Sequence, residues 1–458
     1  MVQRVAAGGT DVTGTPRGWL IFDVDDTLVA TFRTGFNKCV AAAGRLGLRP
    51  PTHAEFADVY GRWSFSECVQ RLHSGVDVER YAAVYDSLTA DHPAEPLCRL
   101  EPVLSAARAA GFGLGVLTNG PGVKTARKLA TVGVSSDDFD FVCHADNSRV
   151  AKPDPAAFYR LSQEFGVDAA RAWYVSDAPA DWAGSFRAGF GTIAVTAGLP
   201  NPRSGPVAPD LVVPDAGALH HLIGELATLA DDPGRRRPGL LWATIFDAGF
   251  TVVEHVRSAE EIVADCLARR GFAVEPHRLA DALAAAAPLL ADTRRCWSSD
   301  TEIDRALTAF YRSVVIALTG RCIEEIVREV IDAYTSVDNW RERPGARAAL
   351  ATAGASGQYV AILANWQSSL TYVLSATGLA DAVDLVVPSA KAGAGKPATA
   401  AFAAVADRLG VDLTEMAYVG DDPVTDIGGA MRAGCHAAFV PRTAPPDAIG
   451  AAVQVLCP

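Results

Sequence analysis

The sequence predicts two α/β domains in tandem, each a parallel sheet with an inserted helical cap. Three observations predict this: the length of the chain, a set of motifs that occurs twice, and strand-length apolar runs alternating with helical stretches. At 458 residues the chain exceeds what one hydrophobic core ordinarily serves, so two domains are expected. A composition 49% hydrophobic and 21% charged is that of a globular chain able to bury sizeable cores.

The repeat organises everything else. Trp19 to Phe22 runs into Asp23-Val24-Asp25-Asp26-Thr27, and Leu241 to Phe246 runs into Asp247-Ala248-Gly249-Phe250-Thr251, each a short buried strand ending in an acidic loop. Leu114 to Asn119 recurs as Val360 to Asn365, and Lys152-Pro153 recurs as Lys396-Pro397. Tyr174-Val175-Ser176-Asp177 recurs as Tyr418-Val419-Gly420-Asp421, and Arg-Ala-Gly follows at Arg187 and again at Arg432. Lys152 and Lys396 are further apart than Asp23 and Asp247, so the C-terminal copy carries a longer insertion after its first strand. A single doubling on this scale means duplicated domains, because solenoid repeats have periods of roughly 20 to 50 residues. The expected domains are 1–232 and 239–458, with the boundary in Asp231 to Gly239 around the arginine run Arg235, Arg236 and Arg237.

Each element follows from local pattern. Pro102 opens a helix through Ala110, Gly111 ends it, and Phe112 to Leu117 returns as a strand. Such alternation predicts a parallel sheet covered on both faces, and ligands in such sheets bind at the carboxyl ends of the strands, where all four motifs lie. Residues 33–100 break the rhythm with amphipathic helical patterns at Phe36 to Leu46, His53 to Gly61 and Tyr81 to Leu88. Residues 255–342 do so at greater length, and both stretches are expected to be helical caps.

The motifs bring Asp23, Asp25, Asp177 and Asp181 to one crevice, where each pair about 4 Å apart repels by roughly 4 kcal/mol at an effective dielectric near 20. A cation must sit among them. Oxygen ligands without His or Cys favour Mg²⁺ over Zn²⁺, with Asp23, Asp25, Asp177 and Asp181 as its candidate ligands, and Lys152 adds a fixed positive charge. A carboxylate at a strand end beside a metal and a lysine can attack a phosphoryl group in line. Asp23 is the candidate nucleophile, Asp25 the general acid and then base, and Thr118 with the Asn119 backbone the holders of the phosphoryl oxygens. Arg33 and Arg62, in or near the first cap, are candidate readers of the rest of the substrate. Trp63, Phe65 and His73 fit cap packing better than substrate contact, and His144 is expected at the surface.

D-x-D-x-T, a strand-terminal Thr, Lys-Pro and D-x-x-x-D, in that order, resemble the haloacid dehalogenase superfamily of phosphatases, and the likeness covers almost the whole chain, once per half. The resemblance implies two tandem Rossmann-like cores with caps inserted after the first motif, Mg²⁺, an aspartyl-phosphate intermediate and a small phosphorylated metabolite as substrate. Ser176 departs from it, standing where the family usually has Gly. A sugar-phosphate mutase shares the whole constellation and is the alternative within enzymes. A receiver-type phospho-acceptor module is disfavoured because its acidic pair precedes the acceptor Asp.

The C-terminal copy keeps Asp247, Asn365, Lys396, Asp421 and Asp426 but has Gly249 in place of the general acid and Ala364 in place of the phosphate-binding hydroxyl. General acid–base help is typically worth about 10²–10⁴-fold, so ester hydrolysis there should be badly slowed. A structural, regulatory or ligand-binding half is expected. The alternative is dehalogenase-like chemistry, whose leaving group needs no proton, although such an enzyme would not need the Asp421 and Asp426 pair. Trp297, Tyr311 and Trp340 are expected in the core of the second cap.

Net charge is −12 and pI about 5.3, so no global positive field exists to gather nucleic acid or anionic lipid. Nine cysteines without a C-x-x-C pair, and no apolar run of signal or membrane-span length, fit a reduced, cytoplasmic protein. Nothing in the pattern speaks to oligomeric state.

Overall fold

The computed structural model describes residues 15–61, 63–197, 204–232, 240–291 and 297–457. The chain divides into two compact units, Met1–Pro202 with Asp215–Ile223, and Arg203–Pro214 with Gly224–Pro458. The division is interleaved, whereas the sequence reading places one boundary in 231–239. The arginine run at 235–237 lies outside the described residues.

In the first unit the strands are β1 (Gly18–Phe22), β2 (Phe112–Leu117), β3 (Phe141–Cys143), β4 (Ala172–Ser176) and β5 (Gly191–Val195). Their order is β5-β4-β1-β2-β3, and every pairing is parallel. Leu20, Ile21 and Phe22 of the central strand are fully buried, each contributing on the order of 1.5–3 kcal/mol. The β2 glycines belong to the packing: a Cβ on Gly113 would stand 2.5 Å from the Trp19 ring, and one on Gly115 would stand 2.2 Å from Phe141.

Between β1 and β2 four helices form the first cap, Thr31–Arg45, His53–Val59, Phe65–Leu72 and Val78–Ser87. Thr52 with Glu55, and Ser64 with Glu67, form capping boxes that start the second and third of these. Phe65–Leu72 is absent from the sequence reading. Its window is only eight residues long and Phe65 remains 40% exposed, so a strongly amphipathic stretch is too short to read as an element of its own.

The second unit contains β6 (Leu211–Val213), β7 (Ala243–Phe246), β8 (Val253–His255), β9 (Trp340–Glu342), β10 (Tyr359–Ala364), β11 (Leu385–Pro388), β12 (Met416–Gly420) and β13 (His436–Phe439). Six of these form a parallel sheet in the order β11-β10-β7-β12-β13-β6. Strands β8 and β9 make a separate antiparallel pair that brackets the second cap. The cap helices Ala259–Ala268, Pro276–Ala286, Asp300–Thr319 and Glu324–Thr335 share a core built on Ile262, Leu307, Val314 and Ile326. No described helix is long and apolar enough to cross a membrane.

The loop after the first strand is built alike in both units. Asp26 and Phe250 hold φ of 54° and 61°, a left-handed conformation uncommon for Asp and rare for Phe. Asp26 N–H donates to Val29 O at 2.8 Å and Phe250 N–H to Val253 O at 2.6 Å, closing a tight turn that returns the chain toward the cap.

Candidate active site

The N-terminal motifs meet at the carboxyl ends of β1, β2 and β4. Asp23 N–H donates to Val175 O of β4 at 2.9 Å, and Thr118 N–H donates to Cys143 O of β3 at 3.0 Å. These bonds fix where each chain leaves the sheet. Lys152 arrives on a loop that Asn119 clamps from both sides, donating from Nδ2 to Lys152 O and accepting at Oδ1 from Lys152 N, both at 2.9 Å. The Asn119 side chain therefore positions the lysine.

The buried Lys152 ammonium lies 2.8 Å from Asp23 Oδ1 and 2.7 Å from Asp181 Oδ2. It also donates to the Tyr174 hydroxyl at 2.6 Å, and that hydroxyl donates to Leu117 O at 3.2 Å. The approach depends on Gly184 in the helix Pro179–Arg187, where a Cβ would come 2.2 Å from Pro153 O. Ser176, the departure noted in the sequence, fits: its hydroxyl donates to Asp181 Oδ2 at 3.4 Å and accepts from Ala178 N at 3.1 Å.

Asp177 accepts at Oδ1 from Thr27 Oγ1 at 3.1 Å, and Asp177 N donates back to the same hydroxyl at 3.2 Å. Asp25 accepts from Thr31 Oγ1 at 2.5 Å and from the Lys128 ammonium. A Cβ on Gly120 would meet Asp25 Oδ2 at 3.4 Å and Thr118 Oγ1 at 3.5 Å, so these two side chains flank one backbone position.

Four carboxylates thus face two ammonium groups, and burial sharpens the imbalance. Asp23 is pushed up to about 6 by burial, against the pull of Lys152 and with help from Asp181 and Asp25. Asp177 is raised well above the usual range by burial and then by Asp26 and Asp23. Burial opposes the charge on Lys152, but Asp23 and Asp181 outweigh it and hold its pKa above the ordinary value. In its chemistry this donor set suits a divalent cation, being all oxygen with negative charge left over after both lysines are counted, although among the described residues the carboxylates that converge to within 4.8 Å of one another are those of the second unit.

Three contributors escaped the sequence reading. Lys128 sits on the helix Gly122–Thr131 outside any motif, and Gly184 carries no chemistry of its own. Asp26 caps the first cap helix through Phe32 N at 2.7 Å and accepts from Tyr60 Oη at 2.7 Å, and burial pushes it up to about 7. The recurrence of a glycine at Gly184 and Gly429 was the one available signal for the second. Arg33 is exposed and paired with Glu95. Arg62 lies outside the described residues. Trp63 is 44% exposed with the Arg71 guanidinium over its ring, His73 is buried in the cap, and His144 pairs with Asp146.

The C-terminal copy repeats the frame. Asp247 N donates to Val419 O at 2.9 Å, and Asn365 clamps Lys396 as Asn119 clamps Lys152, at 3.0 and 2.7 Å. Lys396 Nζ lies 2.5 Å from both Asp247 Oδ1 and Asp426 Oδ1. The acidic pair is one residue wider here, and the extra residue is absorbed by a π-helical turn at Pro423–Gly428. That turn presses Asp426 so close to Gly420 that a Cβ there would lie 2.4 Å from its Oδ2, so the serine of the first copy has no room. Oxygens of Asp247, Asp421 and Asp426 lie within 4.8 Å of one another, but Lys396 holds two of these acids and Arg442 pairs with the third. Trp297, Tyr311 and Trp340, expected in the core of the cap, line a cavity that reaches this cluster.

Residues 20–195 match a family described as haloacid dehalogenase-like hydrolase, and residues 243–434 match a second description of the same family. The chain belongs to the haloacid dehalogenase-like hydrolases. Among curated members of that family, it is 27% identical over 124 residues to haloacid dehalogenase-like hydrolase domain-containing protein 3 of Xenopus laevis, covering 27% of this chain and 51% of that protein. It is 36% identical over 130 residues to a phosphoserine phosphatase of Thermus thermophilus, covering 27% of this chain and 50% of that protein. The chain spans about half the length of these two relatives. A predicted phosphoglycolate phosphatase of Haemophilus somnus aligns at 18% identity and a TM-score of 0.38, over 44% of this chain and 96% of that one. A β-phosphoglucomutase of Clostridium difficile aligns at 19% identity and 0.35, over 46% and 97%. The chain carries two domains of this family, one matched over residues 20–195 and one over 243–434.

Proposed function

We propose that the first unit is a Mg²⁺-dependent phosphomonoesterase that acts on a small phosphorylated metabolite through an aspartyl-phosphate at Asp23. The observation that carries this reading is the Lys152 ammonium held 2.8 Å from Asp23 and 2.7 Å from Asp181, amid carboxylates that two lysines do not balance. Of the candidate ligands Asp23, Asp25, Asp177 and Asp181, the carboxylates of Asp23, Asp177 and Asp181 would hold Mg²⁺, which leaves the Asp25 carboxyl free for proton transfer. When bound, the ion supplies positive charge against the equatorial phosphoryl oxygens.

The chain's own groups do the rest. An Asp23 carboxylate oxygen attacks phosphorus while the bond from phosphorus to the leaving oxygen breaks, and Asp25 gives that oxygen its proton. Lys152 fixes the nucleophile and offsets phosphoryl charge, and Thr118 Oγ1 with the adjoining backbone N–H groups holds the transferred oxygens. Asp25, now ionised, takes a proton from the water that hydrolyses the acyl phosphate. Thr31 and Lys128 keep its carboxylate oriented for both steps. A cytoplasmic setting agrees with the free thiols found among the described cysteines.

The test is phosphate release from a panel of phosphorylated metabolites with Mg²⁺. Asp23→Asn should lower kcat by about 10³-fold or more while leaving the fold intact. Equal release by the wild type and Asp23→Asn would end the proposal.

A further inference from the structure

Cap and core of the second unit line a half-open cavity of about 330 Å³, within the range of small-molecule sites. Its walls are aromatic, from Trp297, Phe310, Tyr311, Tyr334, Trp340 and Trp366, and its floor is the cluster of Asp247, Lys396 and Asp421. Trp340 is 9% exposed and its Nε1 is buried without a hydrogen-bond partner. A buried donor left unpaired is uncommon and asks for an acceptor that the chain does not supply.

The floor is wired differently from that of the first unit. There Thr27 bonds Asp177. Here the corresponding Thr251 hydroxyl is buried without a partner, and Asp421 accepts instead from Arg442 Nε. The offset that carries Arg187 to Arg432 carries Ala197 to Arg442, so this cation belongs to the second copy. Its guanidinium lies 4.1 Å from the Phe250 ring centroid and lines the cavity. Among the described residues its terminal nitrogens have no hydrogen-bond partner. Asp247, Asp421, Asp422 and Asp426 line this floor, where Lys396 pairs with Asp247 and Asp426 and Arg442 with Asp421; in the first unit Lys152 pairs with Asp23 and Asp181, and Asp177 accepts from the neutral Thr27 hydroxyl instead. Arg442 therefore takes up the carboxylate that a metal would use and offers its remaining N–H groups to an anion.

We propose that the second unit binds an aromatic anion, with its ring among the cap aromatics and its phosphate or carboxylate on Arg442, without a divalent cation. With Gly249 and Ala364 in place of the acid and the hydroxyl, the ligand is held rather than turned over. The inference concerns a different site from the proposed phosphatase and stands or falls separately.

The experiment titrates the full chain in EDTA with 2-naphthylphosphonate, 2-naphthoate and inorganic phosphate, followed by calorimetry and tryptophan fluorescence. One naphthyl compound should bind at a single site, equally well with EDTA or Mg²⁺ and at least about tenfold more tightly than phosphate, and the tighter of the two names the head group. Arg442→Ala should weaken it about tenfold or more. Because that change leaves Asp421 unpaired and can loosen the fold, Trp340→Phe is the second variant: it keeps the ring, removes the N–H and should weaken binding about fivefold. Asp23→Asn should leave it unchanged. Failure of both naphthyl compounds to bind, a requirement for Mg²⁺, equal affinity for bare phosphate, or full affinity in both cavity variants would each overturn the proposal.

Discussion

Besides Asp177, which burial also raises, Asp23 and Asp26 are the residues through which the first site registers pH. Both carboxyls are protonated more readily in the folded chain than in the unfolded one, with pKa about 6 and about 7 against an ordinary 3.8, chiefly because burial disfavours their charge. A raised folded pKa contributes stability that is complete below the unfolded value and disappears as pH rises through the folded value. The metal-free protein should accordingly lose thermal stability between about pH 4 and pH 7. Mg²⁺ should restore most at the upper end, where the carboxylates are ionised and able to bind it. Melting temperatures across that range with EDTA and with Mg²⁺ check this; a stabilisation by Mg²⁺ that does not grow with pH would contradict it. Asp23, Lys152 and Asp181 were legible in the sequence because their order along the chain is itself a motif, and a lysine between two acids is what that order predicts. Lys128, Asp26 and Arg442 were not. Lys128 and Arg442 come from a helix and a loop whose local spacing carries no chemical pattern, and Asp26, although inside the D-x-D-x-T run, fills its variable position, so only the folded path reveals their neighbours.

Among the elements, the helix after β4 matters most for the site, because it must approach the Lys-Pro loop closely enough for a helix acid to meet the lysine. Gly184 and Gly429 make that possible: an added Cβ would lie 2.2 Å from Pro153 O in the first unit and 2.9 Å from Pro397 Cα in the second. Gly184→Ala should destabilise the protein by about 1–3 kcal/mol and reduce kcat as Lys152 is displaced. Gly224→Ala, with nothing within 4 Å of the added Cβ, should be neutral or slightly stabilising. Urea unfolding of the two variants alongside phosphate release separates them, and equal behaviour would remove this role for Gly184. The motif-bearing strands, three of the four described helices of the first cap and the Pro102 helix were legible because apolar runs and end signals mark them. The π-helical turn was visible only as a one-residue mismatch between copies, whose shape comes from keeping Asp426 on Lys396 despite the extra residue.

For the molecule, duplication predicted from paired motifs returns as a parallel array of strands in each unit, with matching clamps at Asn119 and Asn365 and matching left-handed turns at Asp26 and Phe250. The interleaved division of the chain was not legible. β6 carries three residues, Leu211 to Val213, and its register beside β13, Leu211 to Ala437 and Val212 to Ala438, is a tertiary choice that no local pattern encodes. Both units keep a nucleophile position and a lysine, and they differ in how the remaining charge is balanced. The central claim is that this difference confines phosphoryl transfer to Asp23. The most direct measurement is peptide mass spectrometry after brief incubation with an aryl phosphate and Mg²⁺, acid quenching and borohydride reduction, which converts a phosphorylated aspartate to homoserine. Homoserine at position 23 with aspartate intact at 247 is the predicted result; an unmodified Asp23, or equal conversion of both residues, would contradict it.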